Sequence, residues 1–133
     1  ESGDGVRWIS MAQGDIAELS TLPYVTVYAR TEWVNANREL VTRIHAGYAE
    51  SIRRLQEDGA ESSRLIKERF FPDMDPALWE DSFAHAQGAY IRGAAGTRFA
   101  WNQFLDMQIE SNPDKTYTNA AFELALIPEA RAD

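Results

Sequence analysis

Two hydrophobic periods divide the chain at Arg30. Before it, short apolar runs alternate with polar residues. Val6 to Met11 (VRWISM) is a strand candidate with Val6, Trp8 and Ser10 on one face, and Asp15 to Leu19 fits a helical turn. Tyr24 to Arg30 (YVTVYAR) is the clearest strand candidate, rich in β-branched and aromatic residues and opened by Pro23. From Thr31 the period becomes 3.6. Thr31 is placed to cap a short turn through Trp33 and Val34. Asn37 is placed to cap a long helix running to about Asp58, with Gly59 just past its end. Val41, Ile44, Tyr48, Ile52 and Leu55 fall on one stripe of that helix at spacings of three and four. Glu39 precedes Arg43, and Glu50 precedes Arg54, by one helical repeat, the favourable orientation for ion pairs.

Further helices follow in order. One from about Ala60 to Phe70 is expected to bury Leu65, Ile66 and Phe70, and Pro72 stops it. Asp75–Pro76 combines an N-cap with proline at the first helical position, opening a helix that carries Leu78, Trp79, Phe83, Ala86 and Tyr90. After the turn Gly93 to Gly96, Thr97 caps a helix bearing Trp101, Phe104, Leu105 and Ile109, which Asn112–Pro113–Asp114 ends. A last short helix is expected from about Thr118 to Leu126. The predicted fold class is α/β and predominantly helical, with two short strands and about five helices. No internal repeat or linker divides residues 1–133, so they form a single domain or part of a lobe.

Composition narrows the functions open to such a chain. Its 133 residues carry a net charge of −8. The densest basic stretch, Arg53 to Arg69, is nearly balanced by Glu57, Asp58, Glu61 and Glu68. Nucleic acid and anionic membrane surfaces, which need a net basic patch, are therefore not expected partners. The absence of cysteine removes disulfides, thiolate nucleophiles and cysteine-ligated metal sites. The chain starts at Glu1 without Met, which suggests a processed or trimmed beginning, and the lack of a signal peptide then says nothing of compartment.

Catalytic signatures fail one by one. Gly88 to Gly93 has the glycine spacing of a phosphate loop, but Ala94 and Ala95 stand where lysine and a hydroxyl are required. Gly3-Asp-Gly5 lacks the third glycine of a dinucleotide fingerprint. His45 and His85 lie on different predicted helices without ligand partners at helical spacing. Ser82 is near His85 but sits in no nucleophile turn. The acidic pairs Asp73/Asp75 and Glu80/Asp81 are accounted for by the helix start beside them. Trp79, Phe83, Tyr90, Trp101 and Phe104 lie at helical spacing and read as core. Trp8, Asp15 and Tyr24 differ: they sit near predicted strand ends and loops, where open α/β proteins bind ligands. They are the candidate ligand-binding residues, with a purely structural role equally open. No catalytic residue, metal or cofactor is expected.

The order of these segments resembles the NMT1/THI5-like (SsuA/TauA-like) solute-binding proteins of ABC importers. In that family a strand ending in Ala-Arg leads through a short turn to Asn-Pro and a long amphipathic helix. Here Ala29–Arg30 matches the strand end, and Asn37–Arg38 keeps the cap and loses the proline. The turn Gly93 to Thr97, Trp101 and the segment Thr118 to Ala125 (TNAAFELA) continue the same order. The resemblance covers residues from about 6 to 127 and lies in order and spacing, not in any one motif.

It implies the C-terminal portion of a periplasmic-binding-protein type II fold, whose full chains are about twice this length and close two lobes on a ligand. It further implies capture of a small organic solute, delivery to an ABC permease, and a periplasmic or lipid-anchored extracellular location. The amino-terminal ligand contacts would lie outside this piece, which is then a proteolytic or engineered fragment or a reduced relative. Two other functions stay open: a non-transport interaction or sensory domain, in which a homodimer covers the face left by the absent lobe, and a thiamine-pyrimidine-precursor synthase relative. The cysteine-rich iron-binding motif of that enzyme branch has no counterpart here.

Overall fold

The computed structural model describes residues 8–10, 13–19, 22, 25–90, 92–117 and 121–132. The protein is predominantly helical, and no strand occurs among the described residues. A single-turn helix at Ala17–Leu19 is followed by α1 (Thr31–Ala36), α2 (Arg38–Glu57), α3 (Gly59–Phe70) and α4 (Pro76–Gln87). A short turn at Arg92–Ala94 leads to α5 (Arg98–Ser111), α6 (Phe122–Ala125) and a last turn at Pro128–Ala130.

The two expected strands are corrected. Within the first, residues 8–10 form no strand, and the rest lies outside the described residues apart from those three. Of the second, residues 25–30 are neither helical nor paired, and Val25, Val27 and Tyr28 are 81%, 71% and 92% exposed. β-Branched and aromatic residues favour a strand by packing on neighbouring strands, and none is beside them among the described residues. Among the described residues one bridge between extended segments joins Gly96 and Arg131 in parallel, with Gly96 donating to Ala130 and accepting from Ala132 at 3.0 Å each.

Helices α1, α2 and α3 follow one another through single residues. Asn37 ends α1 and starts α2, but its side chain does not cap α2 as expected. Its amide Nδ2 donates back to the Trp33 carbonyl at 2.8 Å, finishing α1 instead. Likewise Thr31 lies inside α1, whose N-cap is Arg30. Asp58 closes α2 by donating its N–H to Arg54 O at 2.8 Å, and its carboxylate accepts from the Glu61 N–H to open α3. Gly59 is therefore the first residue of α3, not the tail of α2. A β-carbon there would stand 2.5 Å from the Gln87 amide nitrogen, which donates to Leu55 O. The glycine leaves room for that link between α2 and α4.

Other caps match the sequence. Asp75 accepts from the Leu78 N–H at 3.0 Å with Pro76 opening α4, and Thr97 accepts from the Ala100 N–H at 3.2 Å to open α5. Burial departs from expectation on the thin outer helices. Of α3's three expected core residues, only Ile66 is half-buried; Leu65 and Phe70 are 52% and 65% exposed. Leu78 and Tyr90 are also exposed, and Ile109 is 45% exposed. Among the described residues the core is small: Val41, Trp79, Ala100 and Phe122. Around Trp79, Phe71 and Phe83 lie with ring centres 5.2 and 5.6 Å away, and the indole N–H donates to Ser63 Oγ at 2.8 Å. Phe122 is held under the Arg98 guanidinium, 4.9 Å from its ring centre, while Arg98 pairs with Glu123.

This geometry gives a graded expectation for Trp79. Trp79→Phe keeps the ring contact and loses the bond to Ser63, costing about 1 kcal/mol. Trp79→Ala empties the site and costs about 3–5 kcal/mol. Urea denaturation checks both, and equal losses for the two variants would refute the packed-ring account.

Candidate functional site

The sequence-derived ligand residues do not converge on a cavity among the described residues. Trp8 is 89% exposed. The Asp15 carboxylate accepts from the Ser10 N–H at 2.7 Å, and Ser10 O accepts from the N–H groups of Gln13 and Asp15 at 3.2 Å. Asp15 thus closes its own loop, and that use of its charge is structural. Tyr24 lies outside the described residues. His45 and His85 are each tied to backbone, His45 Nε2 lying 3.1 Å from Ala94 O and His85 Nδ1 2.7 Å from Asp81 O. Among the described residues no group of three or more His, Asp or Glu side chains is placed to hold a metal ion. No described helix is long and apolar enough to cross a membrane.

The surface with the most structure around it is α2, whose two sides do different work. One side carries polar anchors spaced along the helix. Arg38 Nη2 reaches both oxygens of Glu129 at 3.1 Å, and the Thr42 hydroxyl donates to Glu129 at 2.8 Å. His45 meets Ala94, and Gln56 Nε2 donates to Tyr90 O at 2.7 Å. These contacts seat the segment from Tyr90 to Ala94 and the last turn of the chain against α2. Gly93 and Ala94 have φ of 76° and 51°, so the backbone turns sharply where it meets the helix. A left-handed alanine is strained, and the His45 contact to its carbonyl helps hold it.

The opposite side of α2 is apolar and open. Leu40, Ile44 and Tyr48 are 44%, 41% and 49% exposed. The sequence stripe Val41, Ile44, Tyr48, Ile52 and Leu55 is thereby split: Val41 is buried, Ile52 and Leu55 are half-buried, and Ile44 and Tyr48 face outward. Beside this face runs a row of charge in which Arg53 is engaged by Glu50 and Glu57, and Arg54 donates to Glu50 at 2.7 Å. The Arg53 and Arg54 hydrogen bonds hold the Glu50 carboxyl down at about 2.

Two open depressions, each of about 460 Å³, complete the surface. One is lined by Leu65, Ile66, Glu68, Arg69 and Phe70; the other by Ala46, Ala49, Glu50, Arg53, Gln56, Glu57 and Gly93. In the second, the guanidinium of Arg53 is already satisfied by two carboxylates, so it offers a ligand no unspent charge. The polar anchors of α2 were not singled out in the sequence, because their partners lie 49 to 91 positions away for His45 and Arg38. No family model, curated protein or solved structure matches the chain.

The Glu129 clamp makes a pH prediction. Its own backbone N–H, the Thr42 hydroxyl and Arg38 hold its carboxyl below the ordinary value of 4.5. A depressed carboxyl stabilises the fold above its unfolded value, and that stabilisation is lost as pH falls through the lower folded value. Below about pH 4.5 the last turn is expected to loosen from α2. Hydrogen exchange at residues 128–132 checks this, with Glu129→Gln expected to remove the acid-induced change at neutral-pH fold.

Proposed function

We propose that the chain is a non-catalytic capture component, the C-terminal helical portion of a two-lobed solute-binding protein serving an ABC importer for a small organic solute. The observation that carries this reading is the unpaired run at 25–30. A β-branched, aromatic segment exposes Val25, Val27 and Tyr28 and then enters α1 directly. Backbone N–H and C=O groups in such a segment are satisfied most fully by a neighbouring strand, which a sheet contributed by further polypeptide would supply. The run from Ala29–Arg30 through a short turn to the long α2, then Gly93 to Thr97 and a Trp-bearing α5, keeps the family's order in this protein. On this reading the exposed Trp8 ring is available as a ligand contact, with Tyr24 as the other candidate, when the facing lobe is in place, while the Asp15 carboxylate is held by the Ser10 N–H. The location would be periplasmic or lipid-anchored, with the permease as partner.

A second reading, an interaction domain outside transport, draws support from the open apolar side of α2. The two are separated by a thermal-shift screen of sulfonates, nitrate and pyrimidines against this chain and against the product of its complete reading frame. A captured solute at about a hundredfold excess over its Kd adds about 2.7 kcal/mol and raises the Tm by several degrees. The shift is expected for the complete product and not for this chain alone. No shift for any solute in the complete product would leave the interaction reading in its place, and a bound iron or pyridoxal chromophore would favour the enzyme branch.

A further inference from the structure

We propose that the open side of α2 is a homodimer interface, in which α2 pairs antiparallel with α2 of a second copy. At 3.6 residues per turn, Leu40, Ile44, Gly47, Tyr48 and Ser51 share one side of the helix. The three large side chains are 44%, 41% and 49% exposed. Gly47 lies at the middle of the stripe, and a β-carbon built on it meets nothing within 4 Å. A small residue there lets two helix backbones approach closely at the centre of a crossing. Ser51, the polar member, donates its hydroxyl to the Gly47 carbonyl at 2.8 Å, so covering it strands no donor.

Charge selects the occupant. Along one flank of the stripe run Glu39, Arg43, Glu50 and Arg54, alternating in sign. In an antiparallel helix pair, residues on the same flank of the two copies face each other in reverse order. With a two-fold axis between Ala46 and Gly47, Glu39 faces the partner's Arg54 and Arg43 faces the partner's Glu50, so the Glu50–Arg54 pair already formed within each copy is extended across the contact. Each contact occurs twice by symmetry, with no like charges opposed among these four. A parallel pair would instead set this flank against the partner's other flank, where Val41, His45 and Ile52 lie, and these four charges would meet no opposite charge. The alternation is thus self-complementary for a second copy in one orientation.

The proposal rests on α2 alone and stands or falls independently of solute capture.

Sedimentation equilibrium of the purified chain tests it, with circular dichroism to verify helix content in every variant. The wild-type chain is expected to be a dimer at about 100 µM, with Kd well below that concentration. Glu39→Arg, which sets two arginines against each other at both ends, is expected to weaken the dimer about tenfold or more. Adding Arg54→Glu to it restores opposite charges and is expected to restore the dimer. Ile44→Asp, at an exposed helical position, is expected to give a folded monomer. A wild-type chain that stays monomeric overturns the proposal and leaves the stripe to a different partner. A dimer indifferent to Glu39→Arg and Ile44→Asp also overturns it, and moves the contact to another surface such as residues 25–28.

Discussion

The packing of this protein depends on how α2 holds the rest of the chain. A core of Val41, Trp79, Ala100 and Phe122 among the described residues is too slight to order a chain of this length by hydrophobic burial alone. Long-range polar contacts take over part of that task. Glu129 binds Arg38 and Thr42, Gln56 reaches the Tyr90 carbonyl, and His45 sits on the Ala94 carbonyl. Each ties α2 to a segment far along the sequence. At the far end, Arg131 donates to the carbonyls of Glu123 and Leu126, closing α6 onto the last turn. The local ion pairs on α2 and α3 contribute less, since exposed pairs within one helix are worth only a few tenths of a kcal/mol.

What the sequence made legible was local. Asp75 before Pro76 and Thr97 before α5 act as caps because a cap needs only its own next three residues. The bounds of α2 follow from one uninterrupted helical period. The strand expected over 24–30 did not form at 25–30 for the opposite reason: its propensity is conditional on a ladder partner, and a linear pattern carries no information on whether one is present. Gly59 does stand just past the end of α2, as its place after Asp58 suggests, but it also opens α3, because Asp58 ends one helix and begins the next.

The division of labour on α2 was half visible. The apolar positions appear as a stripe in the sequence, yet periodicity does not say which positions meet a neighbour. The inner side turned out to be mixed: Val41, Ile52 and Leu55 share it with Arg38, Thr42, His45 and Gln56, whose hydrogen-bonding partners an apolar count ignores. Ile44 and Tyr48 were left outside by that choice. The candidate ligand residues fared similarly: Asp15 is spent on its own loop, and Trp8 is exposed without a described neighbour that would make it a site.

The single-residue joints at Asn37 and Asp58 have a consequence for how this chain can change over evolutionary time. Each residue of an α-helix advances the azimuth by about 100°. Because α1, α2 and α3 follow one another through one residue each, adding or deleting a residue there rotates everything downstream by that angle. At Asp58 such a change would swing Gln87 away from the Leu55 carbonyl and the Tyr90 and Ala94 carbonyls away from Gln56 and His45. A change of length is therefore expected to be tolerated better in the longer connections between α4 and α5 and between α5 and α6 than at these two joints.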